Sequence, residues 1–140
     1  MDDRRLVMAA VVAAVVDFIF GFVAYGNVLS SQFSAFPGVF RPPQTQISYL
    51  PILFLGILVG MFAITYIYAK GYEGGGIVEG VRFGILVGIF NGGYVVVVGY
   101  AVMNIGRRLT ASMALAGLIE WIVVGLAISA TYRAPDRVRK

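Results

Sequence analysis

Residues 6–25 decide the fold class, and they read LVMAAVVAAVVDFIFGFVAY. Asp17 is the one acidic or basic residue in this stretch. About 20 apolar residues in an α-helix cross a hydrocarbon core of about 30 Å. The stretch therefore predicts a membrane-spanning helix. A secretory signal peptide at residues 1–25 is the alternative, but Asp17 interrupts the apolar region and no small-x-small cleavage site follows it.

Three further apolar stretches of similar length occur at residues 48–68, 80–103 and 110–131. In the whole chain of 140 residues, 59% are hydrophobic and 13% are charged. The mean hydropathy is +0.86, which is typical of an integral membrane protein. The connections after the second and third stretches are short. We therefore predict an all-α membrane protein with a single domain, a four-transmembrane-helix antiparallel bundle.

The residue types that are missing exclude most familiar chemistry. The chain has no cysteine and no histidine, so it has no thiolate nucleophile, no imidazole base and no ordinary ligand set for zinc or haem. We expect a protein that is not an enzyme and that has no cofactor and no metal site. The net charge of +4 does not indicate nucleic-acid binding, because the basic residues flank the apolar stretches.

The distribution of Lys and Arg predicts the orientation in the membrane. One side would carry eight of them, which are Arg4, Arg5, Lys70, Arg82, Arg133, Arg137, Arg139 and Lys140. The other side would carry three, which are Arg41, Arg107 and Arg108. The positive-inside rule then predicts that both termini are cytoplasmic in a multi-pass protein of a bacterial inner (plasma) membrane.

Residues 26–47 form the one long connection and would lie outside. They contain Phe33, Phe36 and Phe40 among several prolines, which favours an extended or partly helical flap at the membrane interface. The flap is either an aromatic anchor or a lid over an opening to the outside.

Glycines give the strongest packing signal. Gly80, Gly84, Gly88 and Gly92 recur at every fourth residue of the third stretch. The second stretch has Gly56 and Gly60 within the pentapeptide Gly-Ile-Leu-Val-Gly, which recurs at residues 84–88. Such stripes let helix backbones approach closely in lipid. Because the two copies would lie at equal depth, we expect spans two and three to pack along them, with a homo-oligomer interface as the alternative. We expect Gly125 to have no matched partner.

Three polar residues, Asp17, Asn91 and Glu120, interrupt the apolar spans. At about 1.5 Å per residue, each lies about 16 Å from the start of its predicted span and hence near the midplane. Small residues share their helix faces, so we expect all three to point into the bundle. No Lys or Arg lies at that depth. A shared-proton clasp that fixes helix register, proton or cation coupling in a transporter, and contact with a polar partner are the alternatives.

The run KGYEGGGIVEGVRFG at residues 70–84 resembles a pattern in a group of small, functionally uncharacterised four-span bacterial membrane proteins. The resemblance implies location and span number but no activity. Within the run, Glu79 and Arg82 are spaced to form an ion pair at the entry of the third helix. A gate or a docking site for a soluble partner is the alternative.

Two hypotheses from different classes remain. The first is a non-enzymatic interaction protein, a packing or accessory subunit of a homo-oligomer or larger membrane complex, whose partners are the lipid bilayer and itself or other membrane subunits. The second is a small proton- or cation-coupled transporter that uses its midplane carboxylates. Asp17 resembles the first-helix carboxylate of small multidrug transporters in position, but the aromatic pattern around it and the length of the first outer loop depart from theirs. The packing signals favour the first.

Overall fold

Four long apolar helices make up the fold in a computed structural model that describes residues 2–132. They are span one (Asp3–Val28), span two (Pro43–Lys70), span three (Gly76–Val102) and span four (Arg107–Thr131), and each is long and apolar enough to cross a membrane. The described residues contain no strand. The prediction of an all-α four-helix membrane bundle is confirmed. The basic residues from Arg133 to Lys140 lie outside the described residues.

The spans are longer than the apolar stretches suggested, because polar residues and short helices extend their ends. In chain order the α-helices are α1 (Asp3–Val23), α2 (Ser30–Ser34), α3 (Pro43–Gln46), α4 (Leu50–Lys70), α5 (Gly76–Phe90), α6 (Val98–Val102) and α7 (Arg107–Thr131). A 3-10 turn, Ile47–Tyr49, joins α3 to α4. Two π-helical segments, Ala24–Val28 and Asn91–Val97, follow α1 and α5.

Antiparallel connections give the bundle two ends. We call the end with Asp3, Lys70, Gly76 and Thr131 the terminal end, and the opposite end, where residues 26–47 lie, the loop end. The most extensive contacts pair α1 with α4, α1 with α7, and α5 with α7. The neighbours in space therefore follow the order two, one, four, three.

Glycines bring α5 and α7 into backbone contact. A methyl group added at Gly80 would collide with the Ser129 hydroxyl and the Gly125 carbonyl oxygen, and one added at Gly84 would lie 2.7 Å from the Ile122 Cα. One added at Gly88 would lie 2.8 Å from the Leu118 Cδ1. The contacts run in opposite directions along the two helices, so this glycine seam is antiparallel. Gly92, at its far end, is 4.0 Å from the Ala114 Cβ by the same measure.

The expected pairing of spans two and three along their glycines is wrong. Gly56 and Gly60 are exposed, and no atom of residues 2–132 outside their own helix backbone lies within 4 Å of a methyl group added at either. Gly125 does have a matched partner, because a methyl group there would meet the Gly80 carbonyl oxygen and lie 3.0 Å from the Gly84 nitrogen. Span four, and not span two, packs along the span-three glycines, because Gly125 lets the span-four backbone approach them closely.

Spans two and three meet through aromatic rings at the terminal end. The Tyr68 ring of α4 lies 5.2 Å from the Phe83 ring of α5, and its centroid is 6.2 Å from that of Tyr132. The Tyr72 ring lies 5.9 Å from Tyr68 and 5.5 Å from Tyr132. Three of these four ring pairs are edge-to-face, an arrangement that packs favourably at such distances. This cluster joins the ends of three spans.

The predicted ion pair between Glu79 and Arg82 is also wrong. The Glu79 carboxylate accepts hydrogen bonds from the backbone nitrogens of Glu73, at 2.9 Å, and Gly75, at 2.7 Å. Arg82 instead approaches Glu73 at 3.9 Å, and both side chains are largely exposed. The turn before α5 leaves backbone N–H groups without helical partners, and these compete successfully for the Glu79 carboxylate.

Candidate functional site

A side-chain hydrogen bond within the membrane-spanning part of the bundle joins two helices that are distant in sequence. The Tyr25 hydroxyl, at the loop end of span one, donates to Glu120 Oε2 of span four at 2.8 Å. The other Glu120 oxygen is 3.8 Å from the position of a methyl group added at Gly21. That distance is ordinary van der Waals contact, so the Glu120 carboxylate lies beside span one at the level of Gly21. In the sequence, Tyr25 is simply the last residue of the first apolar stretch, and nothing around it indicates a polar contact.

Asp17 is the most deeply buried acid of the chain's described part. It is 8% exposed and follows a stripe of four alanines on α1, Ala9, Ala10, Ala13 and Ala14, that are fully buried. It lies within electrostatic range of both Glu120 and Tyr25. Among residues 2–132 its carboxylate forms no hydrogen bond and no ion pair. Two acids therefore share one low-dielectric region without a cation.

Asn91 reaches the same region from span three. Its side-chain nitrogen is 2.6 Å from the position of a methyl group added at Gly117, and the Tyr25 hydroxyl is 3.8 Å from that same position. Gly117 precedes Glu120 by one helical turn. Asp17, Asn91 and Glu120 therefore lie in one region between spans one, three and four, together with Tyr25. The hydrogen bond between the two acids that a shared-proton clasp would require is absent in the described residues, where Tyr25 is the partner of Glu120.

Both π-helical segments lie beside these polar residues. Ala24–Val28 contains Tyr25, and Asn91–Val97 begins at Asn91. A π segment has hydrogen bonds between residues five apart instead of four, is rare, and is found frequently at functional sites. No sequence pattern used above predicts one. The two helices that contribute Tyr25 and Asn91 are therefore irregular at those residues.

The loop end carries a cavity of about 180 Å³ whose lining includes Tyr25. The rest of the lining comes from residues 26–46, with Phe33 and Phe40 in contact at 4.8 Å and Arg41 among the polar members. The flap is partly helical, as expected. Gln32 of α2 accepts a hydrogen bond from the Ser112 hydroxyl of α7 at 3.1 Å, which attaches the flap to span four.

Tyr25 therefore contacts both the loop-end cavity and the polar residues within the bundle. It lines the loop-end cavity, while its hydroxyl bonds to an acid inside the span. Phenol, carboxyl and amide groups can each donate or accept a hydrogen bond, depending on protonation for the acids. Chemically, the arrangement can hold a proton or a small cation between a cavity at one end and two acids in the span. The described residues contain no group of three metal-ligating acids.

Comparisons of the chain with protein-family models, with curated proteins and with solved structures find no match. The fold and composition define a multi-pass α-helical membrane protein.

Proposed function

We propose that this protein is a small proton-coupled membrane carrier whose protons bind at Glu120 and Asp17 and enter past Tyr25. The proposal depends on one observation above all, the double position of Tyr25 between the loop-end cavity and Glu120. A purely structural clasp between helices would not require its donor to line a cavity.

Charge considerations support a proton site. An isolated carboxylate in the bilayer core costs about 3 kcal/mol even on lenient insertion scales, and this region holds two. The described Lys and Arg residues provide no counter-charge there, since residues 6–40 and 109–132 contain none. Binding a proton removes one of the two charges. The protonated carboxyl can then donate a hydrogen bond to the other carboxylate. Loading and release of that proton are then the natural two states of the site.

The proposal includes the orientation of the protein in its membrane and the side from which protons enter. The eight-to-three distribution of Lys and Arg supports a bacterial inner membrane with the terminal end in the cytoplasm and the cavity outside. The resemblance of residues 70–84 to small four-span bacterial proteins points to the same location. Protons would then enter from the outside, through the loop-end cavity.

A flux measurement in proteoliposomes tests this proposal. Purified protein is reconstituted with a pH-sensitive dye inside, and a potassium diffusion potential drives protons inward. We expect flux above that of empty liposomes, and Glu120→Gln and Asp17→Asn should each reduce it by on the order of 10- to 100-fold. Tyr25→Phe should reduce it as well, because the ring stays while the donor is lost.

Glu73→Gln is the matched control, because it neutralises an exposed acid at the terminal end. It should leave flux unchanged. Melting temperatures in detergent show whether the span variants still fold, since an amide can replace a protonated acid in hydrogen bonding. A parent protein that moves protons and monovalent cations no faster than empty liposomes would overturn the carrier.

An interaction subunit is the second candidate, and Gly56 and Gly60 favour it. Their exposed small-xxx-small stripe on span two is the part of the glycine signal that the bundle does not use internally. Because the chain has no cysteine, Gly60→Cys gives a single reporter for disulfide formation between copies in native membranes. Rapid crosslinking at residue 60, with none at the exposed Leu86→Cys control, would support self-association.

A further inference from the structure

Three aromatic rings form the apolar part of the loop-end cavity. The Phe33 ring meets the Phe40 ring edge-to-face at 4.8 Å and lies 6.3 Å from the Tyr25 ring. The cavity volume of about 180 Å³ is close to that of an engineered protein cavity of about 150 Å³ that binds benzene. The cavity is therefore large enough for one six-membered aromatic ring with a small substituent.

Most polar side chains of the lining already donate a hydrogen bond to the protein. The acceptors are Glu120 and backbone carbonyl oxygens, and the donors are Tyr25, Ser30, Ser34 and Gln46. Arg41 differs from them, because its guanidinium forms neither a hydrogen bond nor an ion pair within residues 2–132. It is also the one charged side chain in the described lining. Arg41 is therefore the group of the lining most available to a ligand.

Arg41 is held at the cavity without the use of its guanidinium donors. The guanidinium carbon lies over the Tyr49 ring, 3.9 Å from its centroid, and the Arg41 carbonyl oxygen accepts a hydrogen bond from Gln46 Nε2 at 2.9 Å. An aromatic face attracts a guanidinium without accepting its N–H groups, which project from the edges of the plane. A carboxylate matches this fork with two parallel hydrogen bonds.

The charges around the cavity favour an anion. The loop end lies within residues 18–72 and 80–119, which contain neither Asp nor Glu. A cation in the cavity would therefore meet no carboxylate of the lining, whereas an anion would meet the Arg41 guanidinium. One guanidinium supplies a single positive charge, so a carboxylate suits it better than a phosphate group, which carries about 1.5 to 2 negative charges at neutral pH.

We propose that the loop-end cavity binds a small aromatic carboxylate, with its ring against Phe33 and Phe40 and its carboxylate on Arg41. The proposal goes beyond proton movement, because it assigns the cavity a ligand of its own. The ligand would lie beside Tyr25, at the entry of the proposed proton route. Its negative charge would offset the positive charge of Arg41 there.

Calorimetric titration of the purified protein tests the two halves of the site separately. Benzamide keeps the ring of benzoate without the charge, and acetate keeps the charge without the ring. We expect each to bind at least about tenfold more weakly than benzoate, because a charge-assisted pair or the burial of a ring is then lost. Parent protein that binds benzoate no better than benzamide or acetate would overturn the site.

Arg41→Gln should abolish the preference for benzoate over benzamide. Arg108→Gln is the matched control, because Arg108 is an exposed arginine at the same end of the bundle and is not part of the lining. It should bind benzoate as the parent does. A preference for benzoate that survives in Arg41→Gln, or that is lost equally in Arg108→Gln, would overturn the assignment of the carboxylate to Arg41.

Nanodiscs distinguish a soluble ligand from an anionic lipid headgroup. Benzoate affinity should fall by no more than about threefold when phosphatidylglycerol is added to phosphatidylcholine, which is the effect of a surface potential of about −30 mV on a monovalent anion. A larger loss would mean that the lipid headgroup occupies Arg41, and it would overturn the soluble carboxylate. Binding is measured without a proton gradient. Absent binding beside measurable proton flux would therefore overturn the site alone, and absent flux beside binding would overturn the carrier alone.

Discussion

The same five residues, Gly-Ile-Leu-Val-Gly, occur twice in this molecule and have opposite fates. At residues 84–88 both glycines are buried against the backbone or side chains of span four. At residues 56–60 both are exposed, and in the described part of the chain no other helix lies within 4 Å of a methyl group added at either. The motif therefore permits close helix packing without choosing the partner. The partner is chosen by what the facing helix offers, and here Gly125 on span four makes the difference.

The largest expected effect comes from adding one methyl group to each copy. Gly84→Ala should lower the free energy of unfolding by about 2–4 kcal/mol, because the new Cβ would collide with the Trp121 carbonyl oxygen. Gly60→Ala should be neutral or stabilise by up to about 1 kcal/mol, since alanine is the better helix former and the site is open. Unfolding in mild detergent measures both. An equal loss of unfolding free energy in Gly84→Ala and Gly60→Ala would contradict the finding that the span-three copy, and not the span-two copy, forms the seam.

The second prediction concerns the partner side of the seam. Gly125→Ala should cost about 1–3 kcal/mol, because its Cβ would meet the Gly80 carbonyl oxygen. Its effect should not add fully to that of Gly84→Ala, since the first methyl group already separates the helices that the second would separate. A double-variant cycle measured by the same unfolding assay checks this. Full additivity would mean that the two glycines act in different contacts.

The smallest expected effects come from the turn and the first residues of α5, which precede the glycine seam. Glu79→Ala should cost about 1 kcal/mol, because it removes the acceptor of two backbone hydrogen bonds in the turn before α5. Arg82→Ala should change the free energy of unfolding by less than about 0.5 kcal/mol, because its contact with Glu73 is long and exposed. The ratio of the two effects is the useful measurement, and an Arg82 loss as large as that of Glu79 would restore the ion pair predicted from sequence.

Apolar length and composition were sufficient to predict the fold. Spans of about 20 apolar residues constrain the backbone to helices, since nothing else satisfies its polar groups in lipid. Neighbour relations were harder, because the glycines on spans two and three looked equivalent, and Gly125 with Ser129 forms only one small-xxx-small pair on span four. The sequence also contained no signal for the hydrogen bond from Tyr25 to Glu120. That bond depends on the π segment at Ala24–Val28 and on a partner 95 residues away.

The central position of span four has a consequence for how the protein is made. Span four packs against both span one and span three, yet it follows both of them in the chain. The span-three glycines are therefore synthesised before their partner Gly125. At about 5–20 residues per second, the 25 residues of α7 take between about one and five seconds to appear. During that interval the span-three glycines lack their partner helix, so the glycine seam closes only after span four has been made.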